Sequence, residues 1–438
     1  MTSVDLPGTS ATATAHLRRV EEAMAARVMG PRLDAALGVG TGRPWQVVDA
    51  KYEPEVGCTI LYSSDDRLVR GDLLDEPDGG LGPSRPVVAP GVRLSSFPDD
   101  PDLPGLRAAA DPVTLREVLQ DVLPGRGRIV RCRVGFLRYR PAKRATLAVE
   151  LRGSLPESGG QAQRLVVKSY HKVEKAAAVA AEAVLLNATV DPAAPLHFAP
   201  VRAHVPELSL VVQERVGGVH LDAVLGRGDG ASERALERAA AALAALHRQP
   251  VVSRRCRDIA TEVRRFTTRG SRIAEVDPTT GAALVDLAAR LAATAQEVPA
   301  AVVGLVHGDC KPSQFLLQGA DDVVLLDLDS CGQADPATDV GTFLATLRQR
   351  AVRDRLARRT TPAGAESRAA LGEVFLRAYL DAAGMASDPE PRRRISWYEA
   401  VAFERKALRC FARAPRSPLT RALVDCGHTT LDRLEGMR

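Results

Sequence analysis

Asp309 closes a His307-Gly308-Asp309 triplet, and Gln314 follows it by five residues. Asp327 comes eighteen residues after Asp309, and Asp329 stands two beyond that. Lys311 lies two residues after Asp309, in Asp309-Cys-Lys-Pro-Ser-Gln314. Moving a phosphoryl group to a hydroxyl needs a carboxylate that orients the attacking alcohol. It also needs oxygen ligands for a divalent cation and a positive charge on the transferring group. Asp309 suits the first task. The amide oxygen of Gln314 and the carboxylate of Asp327 suit the second, and the Lys311 ammonium suits the third.

Short apolar segments must hold these groups. Val302–Val306, Phe315–Leu317 and Val323–Leu328 read as strands on either side of the two polar clusters. Upstream, Val47–Tyr52, Cys58–Tyr62 and Arg67–Gly71 read as strands, as do two segments around a turn within Ile129–Leu151. Leu165–Ser169 and Leu208–Gln213 complete the β-prone set. Helical patterns cover Thr12–Arg27, Pro112–Leu123 and Val173–Asn187, and they dominate from Ala231 onward. Asp72–Asp102 is rich in Gly, Pro and Asp and reads as loop. Strands with one helix, followed mostly by helices, predict an α+β class with two lobes. A faint repeat also runs through the chain. Tyr52, Pro54 and Thr59 recur as Tyr139, Pro141 and Thr146 at a constant offset, which suggests a duplicated hairpin with its first copy in an accessory cap.

The chain has 438 residues, 45% of them hydrophobic and 26% charged, enough for two or three folding units. These values exclude a disordered, collagen-like or disulfide-stapled chain. The net charge is only +5, and no concentrated basic stripe marks a nucleic-acid partner. No apolar run approaches the roughly 18 residues of a membrane span. The first 30 residues lack a signal-peptide pattern, so a cytoplasmic location and no membrane partner are expected. The seven cysteines form no CxxC and read as free thiols. From Val340 onward the chain carries 19 Lys plus Arg against 11 Asp plus Glu, a local excess of eight positive charges.

The segment around Asp309 resembles the HGDxxxxN catalytic loop of the aminoglycoside phosphotransferase and choline kinase group, small-molecule kinases on a protein-kinase-like fold. Asp327 resembles the metal-binding Asp of that group. Gly332-Gln-Ala-Asp-Pro-Ala-Thr-Asp339 resembles its G-D-P-x-x-D signature, and Ala241–Arg248 its L-H-R helix. The resemblance covers about residues 125 to 415. It implies a bilobal kinase-like fold, with residues 121–216 as a small β-rich lobe and 217–438 as a helical lobe. Residues 1–120 would be an accessory region. It further implies that Lys168 grips the nucleotide phosphates, that Glu182 pairs with Lys168, and that Asp339 and His307 act structurally. Glu214 and Val216, in Gln213-Glu-Arg-Val-Gly-Gly218, would meet the nucleotide base at the hinge. ATP, or GTP, and Mg2+ are the implied cofactors.

Three features depart from the group. Gln314 replaces its Asn, as in maltokinase-like relatives. No Gly-rich loop is present, and Leu137–Ala145 stands in its place, where Arg140, Lys143 and Arg144 could hold phosphates by side chain. Asp329 adds a carboxylate that, on a strand, would share a face with Asp327 as a second metal ligand or substrate contact. The leading expectation is therefore an ATP-dependent O-phosphotransferase acting on a sugar, an aminoglycoside or a related small-molecule alcohol. The alternatives are a maltokinase-like sugar kinase, a pseudokinase scaffold that binds nucleotide without turnover, and a Ser/Thr protein kinase. The basic stretch from Val340 onward favours a neutral or anionic acceptor over a polycation. Oligomeric state has no signature in the sequence.

Overall fold

The computed structural model describes residues 11–40, 43–65, 67–74, 85–123, 127–153, 162–191, 193–225, 230–251, 253, 255–256, 258–298, 303–359 and 362–436. Two helices open the described chain, α1 (Ala11–Met24) and α2 (Ala26–Leu37). Five strands follow: β1 (Gln46–Glu53), β2 (Gly57–Ser64), β3 (Arg67–Leu73), β4 (Val87–Val88) and β5 (Val92–Ser96). They form one antiparallel sheet in the order β1-β2-β3-β5-β4. The last two strands lie where the sequence reads as loop throughout. Their apolar residues are too few to outweigh the surrounding Gly and Pro as a pattern, yet Val92 and Leu94 are buried against the sheet. Residues 75–84 of that expected loop, and Val302 of the expected 302–306 strand, lie outside the described residues.

Next come α3 (Leu106–Ala110) and α4 (Pro112–Val122). The Asp111 side chain caps α4 by accepting from Thr114 N, and Pro112 fills the first turn, where its missing N–H costs nothing. A long hairpin, β6 (Ile129–Arg140) and β7 (Arg144–Gly153), leads to β8 (Gln163–Tyr170) and helix α5 (Val173–Thr189). β9 (Leu196–Phe198), β10 (Val201–Val205), β11 (Leu210–Glu214) and β12 (Val219–His220) follow, then α6 (Leu221–Val224) and α7 (Gly230–His247). The second five-stranded sheet has the order β10-β11-β8-β7-β6. Leu147, Val149, Leu165 and Val167 are buried on one of its faces, at about 1.5–3 kcal/mol each. Lys168 alternates to the other face. The strand expected at 208–213 begins only at Leu210, because Pro206–Leu208 winds into a 3-10 turn.

Two amphipathic helices, α8 (Ile259–Val276) and α9 (Pro278–Thr294), precede short strands β13 (Gly304–Val306), β14 (Phe315–Leu317), β15 (Val323–Leu325) and β16 (Gly332–Ala334). β12, β14, β15 and β9 make a four-stranded sheet, and β13 pairs with β16. The chain ends in α10 (Ala337–Leu356), α11 (Pro362–Ala382), α12 (Pro389–Arg413) and α13 (Pro418–Glu435).

The chain divides into two compact units. Unit 1 comprises residues 1–97, 258–298 and 400–438, a grouping the sequence reading did not make. Within it, Arg405 forks onto Glu262 at 2.6 and 2.8 Å, and Arg413 bonds Asp49 at 3.0 Å. Unit 2 comprises residues 98–257 and 299–399 and holds every candidate site residue. Among the described residues, no helix is long and apolar enough to cross a membrane.

Candidate active site

The β13 strand ends at Val306 and delivers His307, Gly308 and Asp309 into a tight loop. Gly308 has φ 75, a left-handed conformation that favours glycine, so its place in the triplet is set by the backbone. Asp339, at the start of α10, holds this loop. Its two oxygens accept from the backbone N–H of His307 at 2.6 Å and of Gly308 at 2.8 Å, and His247 Nε2 lies 3.2 Å away. Burial would raise the Asp339 pKa, but the His247 hydrogen bond and charge, His307 and the Gly308 N–H lower it, so the carboxylate stays ionised. His307 is fully buried between two loops, with Nε2 2.8 Å from Leu326 O and Nδ1 accepting from Asp309 N at 3.2 Å. A neutral ring with its proton on Nε2 satisfies both contacts. The Asp309 carboxylate is half-buried and accepts from Lys311 Nζ at 2.5 Å. The structure therefore brings the expected base and its neighbouring ammonium together.

Asp327 and Asp329 also converge, but not for the reason the sequence suggested. The strand stops at Leu325. Asp327 takes a left-handed φ of 63, and residues 328–330 form a 3-10 turn. A non-glycine residue in that conformation is strained, and here several cations hold it in place. Arg144 donates to Asp327 as a fork, at 2.7 and 3.1 Å, and also to Asp329. Lys168 Nζ lies 3.1 Å from Asp327 and 3.0 Å from Asp329, and Tyr170 Oη donates to Asp329 at 3.0 Å. Burial works against the charges of Asp327, Lys168 and Arg144 alike. Their mutual attraction wins, holding the Asp327 carboxyl well below its usual range and both cations above theirs. Asp327, Asp329 and buried Gln314 each offer oxygen, the donor type a hard divalent cation such as Mg2+ takes, although Arg144, Lys168 and Tyr170 already occupy the two carboxylates.

The Lys168–Glu182 pair expected from the sequence is not formed. Glu182 projects from α5 onto Arg255, which also donates to Asp329 O at 2.6 Å. Lys168 is instead taken by the two aspartates. Two negative charges beside one buried ammonium outweigh a single carboxylate that already has a guanidinium of its own.

The basic segment in place of a Gly-rich loop is the three-residue turn of the β6–β7 hairpin. Arg140 precedes it, exposed Lys143 is its last residue, and Arg144 is buried at the base. Ala142 sits at the turn with φ 58, and its N–H donates to Asp100 at 2.8 Å. Tyr139 Oη donates to the same Asp100 oxygen at 2.8 Å. The turn is thus pinned by a buried acid. Arg138, whose pKa is lowered by burial and then by Arg140 and Arg144, feels both Asp327 and Asp309, which ties the hairpin electrostatically to both halves of the site. At the other end of the sheet, Glu214 pairs with Arg202 at 2.7 Å, and Val216 is half-buried in the segment joining β11 to β12. Cys310 and Cys331 are buried thiols whose pKa values burial pushes up, so both stay protonated.

Sequence reasoning missed Tyr170, Arg255, Asp100 and His247. Tyr170 carried a usable signal, standing two residues after Lys168 on a strand and so on the same face. Asp100 and Arg255 act from loops, where no periodicity points to them.

The sequence matches the phosphotransferase enzyme family, APH, over residues 157–390. No curated protein matches it. Among solved structures, a choline kinase from Cryptosporidium parvum Iowa II is similar, with 12% identity over 74% of this chain and 96% of that one, at a TM-score of 0.52. A choline/ethanolamine kinase family protein from Mesorhizobium loti has 16% identity over 73% of this chain and 93% of that one, at 0.47. Wild-type aminoglycoside 2'-phosphotransferase-IIIa, solved as its GDP complex, has 16% identity over 69% of this chain and 92% of that one, at 0.44. The fold is protein-kinase-like.

Proposed function

The chain belongs to the phosphotransferase enzyme family, and on that premise we propose that it moves the γ-phosphoryl group of a nucleoside triphosphate to a hydroxyl of a small neutral or anionic acceptor. That it is a phosphotransferase with an alcohol group as acceptor follows from the family. The observation that carries the finer reading is the pairing of Asp309 with Lys311 together with the buried Lys168–Arg144–Asp327–Asp329 cluster, both felt by Arg138. Asp309 orients the acceptor hydroxyl and takes its proton as the oxygen attacks. Lys311 offsets the charge on the transferring group. Lys168 and Arg144 hold phosphate oxygens, with Arg140 and Lys143 at the turn adding charge around them. Gln314, Asp327 and Asp329 would hold Mg2+, which when bound neutralises the phosphate oxygens. Glu182, through Arg255, positions the Asp329 segment rather than Lys168. Most of the acceleration comes from positioning and preorganised charge.

The net positive stretch from Val340 onward argues for a sugar-like alcohol rather than a polycation, and Gln314 agrees with a maltokinase-like acceptor. Residues 121–216 would serve as the nucleotide lobe of a cytoplasmic enzyme, the part of 217–438 that lies in unit 2 as the acceptor lobe, and 1–120 as an accessory region. The test is phosphoryl transfer from a γ-labelled nucleotide to a panel of sugars and aminoglycosides, by the wild type and by Asp309→Asn. Label on a neutral sugar with the wild type, lost in the variant while nucleotide still binds, supports the reading. Tight nucleotide binding with no transfer to any alcohol would favour the scaffold alternative.

A further inference from the structure

The Lys168 face of the second sheet carries a cavity of about 240 Å³. Its lining includes Arg133, Gly135, Ala148, Glu150, Arg164 and Arg215, with Val134 and Val149 between them in sequence. The strand register fixes its place. Thr146 pairs with Lys168, Ala148 with Val166 and Glu150 with Arg164, in steps of two along one face. The cavity thus lies about 7–13 Å along β8 from the lysine. A ribose and its first phosphate bridge that kind of span between a base and a phosphate-gripping cation.

A base here meets side chains more than backbone. The N–H of Glu214 is spent on Pro200 O at 2.8 Å, and that of Arg215 on Arg164 O at 3.0 Å. The carbonyl of Gly217 already accepts from Gln318 at 2.6 Å. The cavity's charged side chains are three guanidinium groups, which only donate, and one carboxylate, which only accepts. Glu150 is held in place by Arg152 Nε at 3.2 Å, with Arg133 3.9 Å away.

We infer that this cavity, lined by Arg133, Arg164, Arg215 and Glu150, selects guanine over adenine, so that the phosphoryl donor is GTP. Guanine presents two adjacent acceptors, O6 and N7, which a guanidinium fork matches. Its N1–H and N2 amino group are donors that a carboxylate matches. Adenine reverses both edges. Its N6 amino group would face guanidinium donors, and its bare N1 would face a carboxylate, leaving both unpaired. Mismatched polar groups of this kind discriminate between the two bases.

The inference rests on the reading that a nucleotide occupies the Lys168 face, and one titration series separates the two. Non-hydrolysable GTP and ATP analogues, each with Mg2+, are titrated calorimetrically into the full chain, its Glu150→Gln variant and its Arg164→Gln variant, with melting curves as a check on folding. The expected result is GTP analogue binding at least about tenfold tighter than ATP analogue. In Glu150→Gln the ratio should fall towards unity through weaker GTP binding, and Arg164→Gln should narrow it independently. An ATP analogue that binds as tightly as the GTP analogue, or a ratio unchanged in both folded variants, overturns the guanine assignment and leaves the nucleotide reading standing. Binding of neither analogue overturns both.

Discussion

The two five-stranded sheets of this chain have the same strand order and opposite chemistry. β1-β2-β3-β5-β4 in unit 1 and β6-β7-β8-β11-β10 in unit 2 correspond strand for strand, with β9 belonging elsewhere. Each begins with a hairpin whose three-residue turn has its middle residue in a left-handed conformation, Glu55 at φ 64 and Ala142 at φ 58. The offset between those residues is the one that relates Tyr52 to Tyr139 and Thr59 to Thr146. Thr146 faces Lys168 across the strands, whereas Thr59 faces Asp72 and donates to it at 2.8 Å. Arg144, which forks onto the aspartates, has Gly57 as its counterpart. Tyr139 finishes its hairpin by bonding Asp100, while the buried Tyr52 hydroxyl has no hydrogen-bond partner among the described residues. One architecture therefore serves twice, and a few side chains decide which copy can grip a phosphate.

Buried carboxylates sharpen the contrast. In unit 2, Asp327 is surrounded by cations and held low. In unit 1, Glu404 on α12 is fully buried, and neither of its oxygens has a hydrogen-bond partner among the described residues. Burial raises its pKa well above the ordinary 4.5, and Arg269 only partly offsets this. The two acids thus oppose each other in sign. The Asp327 contribution is present above its ordinary value of 3.8 and is lost as pH falls through the lower folded value. The folded Glu404 keeps a proton that the unfolded chain releases above about 4.5, so stability is lost as pH rises from there towards the folded value.

The comparison breaks if the second sheet works without its ions. Lys168→Met should lower kcat/KM about a thousandfold in a phosphoryl-transfer assay, whereas Asp72→Asn, at the equivalent place in the first sheet, should leave turnover unchanged. A milder variant tests the pinned turn. Asp100→Ala strands the Tyr139 hydroxyl and the Ala142 N–H, and should cost about 2 kcal/mol in urea unfolding and raise the nucleotide KM more than it lowers kcat. A chain that melts normally and keeps its nucleotide KM would show that the turn needs no pin. Glu404→Gln should do the reverse of an ordinary core substitution and stabilise the chain by about 1–2 kcal/mol at pH 8, with a flatter pH profile of the melting temperature above pH 4.5. The smallest effect is that of Asp72→Asn on stability. It weakens contacts to Thr59 and Arg70 and should cost about 1 kcal/mol by the same denaturation measurement.

Much of this was legible in the sequence, and the exceptions share a cause. The β6–β8 strands, α4 and α5 emerged from local pattern because hydrophobic alternation and capping residues are local signals. Asp309, Lys311 and Asp327 were singled out by their spacing and Lys168 by the family resemblance, and the structure joins Lys311 to Asp309 and Lys168 to Asp327. The Tyr-Pro-Thr repeat pointed to a duplicated hairpin, and both hairpins are present. What escaped depends on partners far along the chain. Asp329 reaches the cluster because Asp327 turns left-handed, a backbone state no strand pattern contains. Lys168 chooses two aspartates over Glu182 because Arg255, 73 residues from Glu182, has taken that carboxylate. Asp100 meets the turn from 42 residues upstream.

The interleaving of the units has a consequence for synthesis. Unit 2 has all of its residues once position 399 has left the ribosome, whereas unit 1 still lacks the second half of α12 and all of α13. The sheet that bears the site residues can therefore fold while the sheet of unit 1 waits, with β1–β5 built but part of its unit unmade. A chain stopped near position 399 would carry every candidate catalytic group and still expose the hydrophobic surface of an unfinished neighbour, the kind of intermediate that chaperones retain.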